Sequence, residues 1–337
     1  MIEQNRNYKI DYMRAICSIT VILAHVGAPS WLNQIRTFDV IALVMMSGMC
    51  LAGSSKIEYG AYLWKRVKKL LIPTVIMATA VFSLSFIVCQ ILQMPQLYSS
   101  SRIVRSYLLL HDGSMGYVWI TRVYLSIAVL MPVIKRVESK ITNGKRFGIL
   151  MVCCVAIMLV LQWLGGLITL ELASVIYFDY IYSSFIYAVI ALIGLWCAHR
   201  IKRIPAVAIF AMAIFAVCFG FIFFLYPEQG LSISSYKFPP QLYYCAYGVS
   251  ITCILYQVLP KRGNATVVWL SKKSFSIYLW HIVVLKVYGL LIKLPFLAFL
   301  EGVWLLEFAV GVSGAILATF LFEYVRETVK KSKTTVS

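Results

Sequence analysis

An all-α, polytopic membrane protein is the fold class predicted here, and three observations predict it. Apolar runs of about twenty residues recur along the chain, long enough to cross a bilayer as helices. Hydrophobic residues make up 61% of the 337 positions and charged residues only 13%, with a mean hydropathy of +0.84. Lys and Arg, which give the chain a net charge of +18, gather in alternate connections between those runs, the positive-inside pattern. Together these exclude a soluble globule.

The first apolar run covers 10–30. It contains Arg14 and His25, and many spans follow it, so a cleaved signal peptide is not expected. The later spans fall at 37–55, 70–94, 117–134, 147–170, 176–198, 206–226, 241–258, 274–293 and 303–325, giving about ten transmembrane helices. The span at 176–198 has a polar entrance made by Tyr177, Asp179 and Tyr180. No internal repeat of the kind seen in inverted-repeat transporters is present.

With the N-terminus inside, 24 of the 31 Lys and Arg lie on the cytoplasmic side, and the acidic residues divide about evenly. Both termini are therefore expected in the cytoplasm of a multi-pass protein of the inner (plasma) membrane. Residues 1–325 are read as a single transmembrane domain and 326–337 as a short basic cytoplasmic tail. The basic loops call for anionic membrane lipids rather than nucleic acid. The nine cysteines all fall inside spans without a Cys-x-x-Cys pair, and are read as small buried hydrophobes. Four histidines without a His/Cys/Asp cluster at ligand spacing give no expectation of a metal.

Ionisable side chains inside a bilayer are costly, so each is a functional candidate. In an ideal helix eleven residues bring the chain back to within roughly 20° of its starting direction. Arg14 and His25 would then share a face about 16 Å apart, with Ser18 and Val21 between them. Imidazole exchanges a proton near neutral pH, which suits His25 to acid–base work. Arg14 has a second reading, as a side chain that snorkels to the headgroups.

Lys65, Arg66, Lys68 and Lys69 precede Pro73, and Pro is favoured in a helix's first turn. The cluster is read either as a topology signal or as an anion site where cations and helix N–H groups converge. His281, flanked by Tyr278 and Trp280, lies about two turns into the ninth span, either as a packed histidine or as part of a site. Arg122 and Glu307 could pair with one another or line a cavity. His111 and His199 fall in loops and are given no role.

Several of these stretches together resemble the acyltransferase-3 family of integral membrane acyltransferases, the type that O-acetylates cell-envelope glycans. Arg14 and His25 match its R-x10-H pattern. "MMSGMCLAG", with Ser47 and Gly48, is similar to its second-helix SG motif. Arg66 to Lys69 resemble its R-x-x-R ahead of a proline, with lysine in place of the final arginine. Ser276 to His281 match S-x-Y-L-x-H, and Trp119 to Pro132 resemble its fourth-helix pattern. Some members carry an extracytoplasmic esterase-like domain; here "RETVKKSKTTVS" follows the last span.

The resemblance implies transfer of an acyl group, usually acetyl from cytoplasmic acetyl-CoA, to a hydroxyl of a cell-envelope polysaccharide or lipid-linked sugar. It implies His25 as general base or as an acylated nucleophile, with Arg14 steadying the thioester or the pantetheine arm. Arg66, Lys69 and Lys65 would hold the CoA phosphates. His281, Arg122, Glu307, Ser47 and Tyr278 are further candidates. A transporter or flippase for a lipid-linked sugar is the alternative, with the same polar residues lining its path.

Overall fold

A computed structural model describes residues 6–53, 58–91 and 93–335. The described chain is helical and contains no strand. In chain order the helices are α1 (Tyr8–Leu23), α2 (Ser30–Arg36), α3 (Asp39–Leu51), α4 (Tyr59–Ile91), α5 (Ser100–Tyr107), α6 (Trp119–Ser139) and α7 (Gly144–Gly166). There follow α8 (Glu171–Ile176), which passes through a π-helical turn at Tyr177–Tyr182 into α9 (Ser183–His199), then α10 (Ile204–Leu225), α11 (Leu242–Val258), α12 (Ala265–Leu291) and α13 (Trp304–Thr335). Each of the ten spans falls on one of these helical segments. Among the described residues seven helices are long and apolar enough to cross a membrane.

Four boundaries differ from the hydropathy reading. Helix α4 begins at Tyr59 rather than near residue 70, so Pro73 lies inside it. Helix α12 begins at Ala265, where the Asn264 side chain accepts a hydrogen bond of 2.9 Å from the Val267 N–H. Helix α13 runs on to Thr335, so 326–335 continue the last helix; 336 and 337 lie outside the described residues. In all three the polar helical extension is invisible to hydropathy, which marks only the lipid-facing length. The fourth is α1, which stops at Leu23 instead of running to residue 30. Gly27 takes the left-handed conformation (φ 59°) and Pro29 follows, a sequence that ends a helix.

The chain divides into two compact units, one formed by 1–39 with 259–337 and the other by 40–258. In the first, α1 packs on α12 and α13. The Tyr8 ring lies against Gly263 at one end and His25 meets His281 towards the other, so α1 and α12 run the same way. Lys273 pairs with Glu323, and Gly314 lies against Val284, so α13 runs the opposite way. These directions are those that alternating spans one, nine and ten require. Ile22, Leu23, Val26 and Ala28 form a core where α1 ends, with Leu285 and Trp304 packed on it.

In the second unit, α3 and α9 come into backbone contact. A Cβ added to Gly48 would stand 2.0 Å from the Ala191 carbonyl oxygen, and one on Gly194 would stand 2.1 Å from that of Met45. Helix α6 packs on α4 and α9, with the Thr74 and Thr121 hydroxyls 3.0 Å apart between α4 and α6. Helix α10 lies along α11.

Polar contacts join the ends of these helices in two separate sets. Glu138 accepts from Arg200 (2.7 Å) and lies 3.1 Å from His199 Nδ1, while Arg200 also donates to the Ile141 carbonyl. Asp179 joins His111 and Arg122, Arg105 pairs with Asp112 and Glu171, and Tyr180 donates to the Leu108 carbonyl (2.6 Å). The first set links connections that the charge pattern assigns to one face, and the second links those assigned to the other.

Candidate active site

The first unit gathers the expected intramembrane histidines. The His25 and His281 rings stack with centroids 5.5 Å apart and planes 21° apart. Tyr278, one turn earlier on α12, lies 5.3 Å from His281, and Phe275 lies 6.3 Å from Tyr278. His281 is fully buried and Tyr278 nearly so, whereas His25 is half-buried. The pair is therefore graded: His281 is enclosed, and His25 is the ring with access to its surroundings.

Local structure explains where His25 sits. It stands in the turn beyond α1, not inside a helix. Its N–H bonds to the Ile22 carbonyl at 3.0 Å and that of Ala24 to the Val21 carbonyl at 3.1 Å, an i to i+3 pattern. Such a turn advances about 120° per residue rather than 100°, moving His25 roughly 40° round from its ideal-helix position. The shared face with Arg14 is correspondingly looser than an ideal helix gives. Arg14 lies two turns into α1 and is half-buried. Asp11, one turn before it, accepts from Arg6 at 2.6 and 2.9 Å.

Beyond His25, short helix α2 is tied back by Asn33, which donates to the Ala28 carbonyl (2.8 Å) and accepts from Arg36 Nε (3.1 Å). Arg36 also pairs with Asp39 at 2.9 Å, and both are buried. This ion pair went unseen in the sequence reading. The signal was available, since Arg and Asp at i,i+3 beside a span are natural partners. Glu307 opens α13 in the same unit and is half-buried.

The second unit holds the other candidates. Lys65, Arg66 and Lys69 lie in the second and third turns of α4, well before Pro73. The expected convergence with helix N–H groups at a proline-marked start is therefore corrected: those groups belong to the turn at Tyr59. Arg66 is half-buried over the Tyr62 ring (5.1 Å), while Lys65, Lys68 and Lys69 are exposed. Ser47 donates to the Leu43 carbonyl within α3 (2.9 Å), so its hydroxyl is bonded inside its own helix. The SG motif thus serves close helix packing through Gly48.

Arg122 is buried in α6 and pairs at 2.5 Å with Asp179, a partner other than the Glu307 offered as one alternative. Asp179 also accepts from the His111 backbone N–H and from its Nδ1, each at 3.0 Å. His111 and His199, given no role from sequence, thus each meet a carboxylate. Outside the spans, hydrogen bonds to Asp112 and Glu171 raise the Arg105 pKa further, keeping it cationic.

Stacked helices with ionisable groups held among them define a membrane protein with an internal polar site, which fits enzymes and transporters alike. The family separates the two. The chain belongs to the acyltransferase-3 family, whose acyltransferase-domain model matches residues 7–324 and so runs through both units. No curated protein and no solved structure matches the chain. The protein is a membrane acyltransferase, and the transporter reading gains no support.

Proposed function

We propose that the protein transfers an acetyl group from acetyl-CoA to a hydroxyl of a cell-envelope polysaccharide or lipid-linked sugar, working in the plasma membrane. The observation that carries this reading is the graded histidine pair. A reacting base has to reach substrate while its orientation is held, and His25 is accessible while stacked on an enclosed ring. His25 takes the proton of the acceptor hydroxyl as its oxygen attacks the thioester carbonyl. The C–S bond breaks, and the departing CoA thiolate takes that proton from the imidazolium. His281 and Tyr278 act as positioning residues. Arg14 steadies the thioester or the pantetheine arm of the donor.

The phosphates of CoA need cations, and Arg66 with Lys69 offers two on one face of α4, at i and i+3, with Lys65 beside them. Lysine at position 69 supplies charge without the bidentate fork of arginine.

The test uses membranes containing the wild type or His25→Ala, supplied with acetyl-labelled acetyl-CoA. Label should pass to the glycan or lipid fraction only with the wild type. Equal labelling by the variant, or none by the wild type, refutes the proposal. Rapid quenching that traps acetyl on His25 would replace the base by a nucleophile in the same reaction.

A further inference from the structure

In the second unit, remote in sequence from His25, three segments bring a second histidine together with a carboxylate and exposed aromatic surface. We propose that His111, Asp179 and Phe238 form a binding subsite for a hexose ring of the acceptor glycan; this rests on the proposed function for its role, though not for its existence.

The chemistry starts at Asp179. A carboxylate only accepts hydrogen bonds, so the contact with His111 Nδ1 requires the proton on Nδ1. In the neutral ring that leaves Nε2 as an acceptor, and among the described residues Nε2 has no partner. The tautomer is doubly held, because Asp179 also bonds the His111 backbone N–H and is itself paired with Arg122. Asp179 reaches both because it lies in the π-helical turn Tyr177–Tyr182; π turns interrupt the regular ladder and recur at functional sites.

The aromatic partner is Phe238. Its ring stacks on His111 at 5.0 Å with planes 8° apart, and meets Trp119 edge-on at 4.9 Å. The Lys237 ammonium lies 5.4 Å from Trp119 and 5.5 Å from Phe238. Phe238 nevertheless stays 39% exposed, and the His111 side chain 28%. An imidazole nitrogen, an ammonium and a partly exposed aromatic ring grouped together suit a sugar, which offers hydroxyl donors and acceptors at its edge and C–H groups on its face. His111 and Phe238 belong to connections, and Asp179 to the entrance of a span, that the charge pattern assigns to the non-cytoplasmic side, where an envelope glycan is met.

A structural bracket for Asp179 would use the same contacts, and two substitutions separate the roles. His111→Asn places an amide N–H near the Nδ1 position and removes Nε2 and the stacked ring. Phe238→Leu alters an exposed residue without touching Asp179. Purified protein in detergent is examined by saturation-transfer NMR with the methyl glycosides of glucose, galactose, mannose and rhamnose. The wild type should pass saturation to at least one glycoside, and both variants should weaken its binding three- to tenfold. His199→Asn, in the separate Glu138 contact, should bind as the wild type does. No transfer to any glycoside, or equal binding by Phe238→Leu and the wild type, overturns the subsite. Glycoside binding that persists without acetyl transfer by the wild type would sink the proposed reaction alone.

Discussion

Replacing Gly194 by alanine tests the α3–α9 contact directly. The new Cβ would stand 2.1 Å from the Met45 carbonyl oxygen, with the Met45 carbonyl carbon and Cα at 2.9 and 3.2 Å. Comfortable contact needs about 3.5 Å, so the helices must part by roughly 1.4 Å or the backbone must bend. Overpacking costs about 1–3 kcal/mol, and the upper end applies because the obstacle is backbone rather than a movable side chain. At roughly 2–4 °C per kcal/mol, Tm in detergent should fall by about 6–12 °C. Gly220, in α10, is the control: a Cβ there meets nothing within 4 Å. Gly220→Ala should gain about 0.5–1 kcal/mol through reduced backbone freedom and raise Tm slightly. Adding Gly48→Ala to Gly194→Ala should cost less than the two single losses combined, since helices already parted admit the second methyl. Thermal unfolding followed by circular dichroism reads the wild type, the three single variants and the double variant. Equal shifts for Gly194→Ala and Gly220→Ala would refute the close approach.

Four further outcomes follow from other sites. His25→Ala should abolish transfer while leaving Tm near the wild-type value, because His25 is half-buried; activity assays with unfolding curves on the same preparation decide it. Arg66→Ala should raise the KM for acetyl-CoA by roughly ten- to a hundredfold, about 1.4–2.8 kcal/mol, and Lys68→Ala much less; equal effects would reduce the cluster to a topology signal. Arg36→Met removes the cation paired with the buried Asp39 carboxylate and should cost about 3–5 kcal/mol, whereas Arg36→Met with Asp39→Leu should recover most of it on the same unfolding curve. Epitopes inserted at exposed Lys140 and exposed Ser234 should report opposite faces of the membrane; reporting the same face would mean a miscounted span.

Fold class was legible because desolvating a charge in lipid is expensive, which leaves long apolar runs as a direct record of the spans. His25 and His281 were legible for the same reason, since an ionisable ring within such a run stands out. Their stacking was not, because it depends on the register between α1 and α12. The end of α1 was obscured by "TVILAHVGAP", which stays apolar across the break made by Gly27 and Pro29. Pro73 misled in the other direction: a proline compatible with a helix start lies inside α4, whose polar first turns carry no hydropathic signal. Arg122 was noticed without its partner, because a π-helical turn decides where Asp179 points. Only the folded contact gave His111 a reason to matter.

The candidate active site is built from segments on either side of the second unit, all of which is synthesised between them. His281 leaves the ribosome roughly 10–50 s after His25, at about 5–20 residues per second. Until then His25 has neither its stacking partner nor the helices α12 and α13 that pack on α1. A chain arrested before α12 would insert most of its spans, yet it would hold a lone imidazole without support. Threading the site through α1 and α12 therefore makes synthesis of α12 a condition for chemistry, and a fragment abandoned before it would transfer no acyl group.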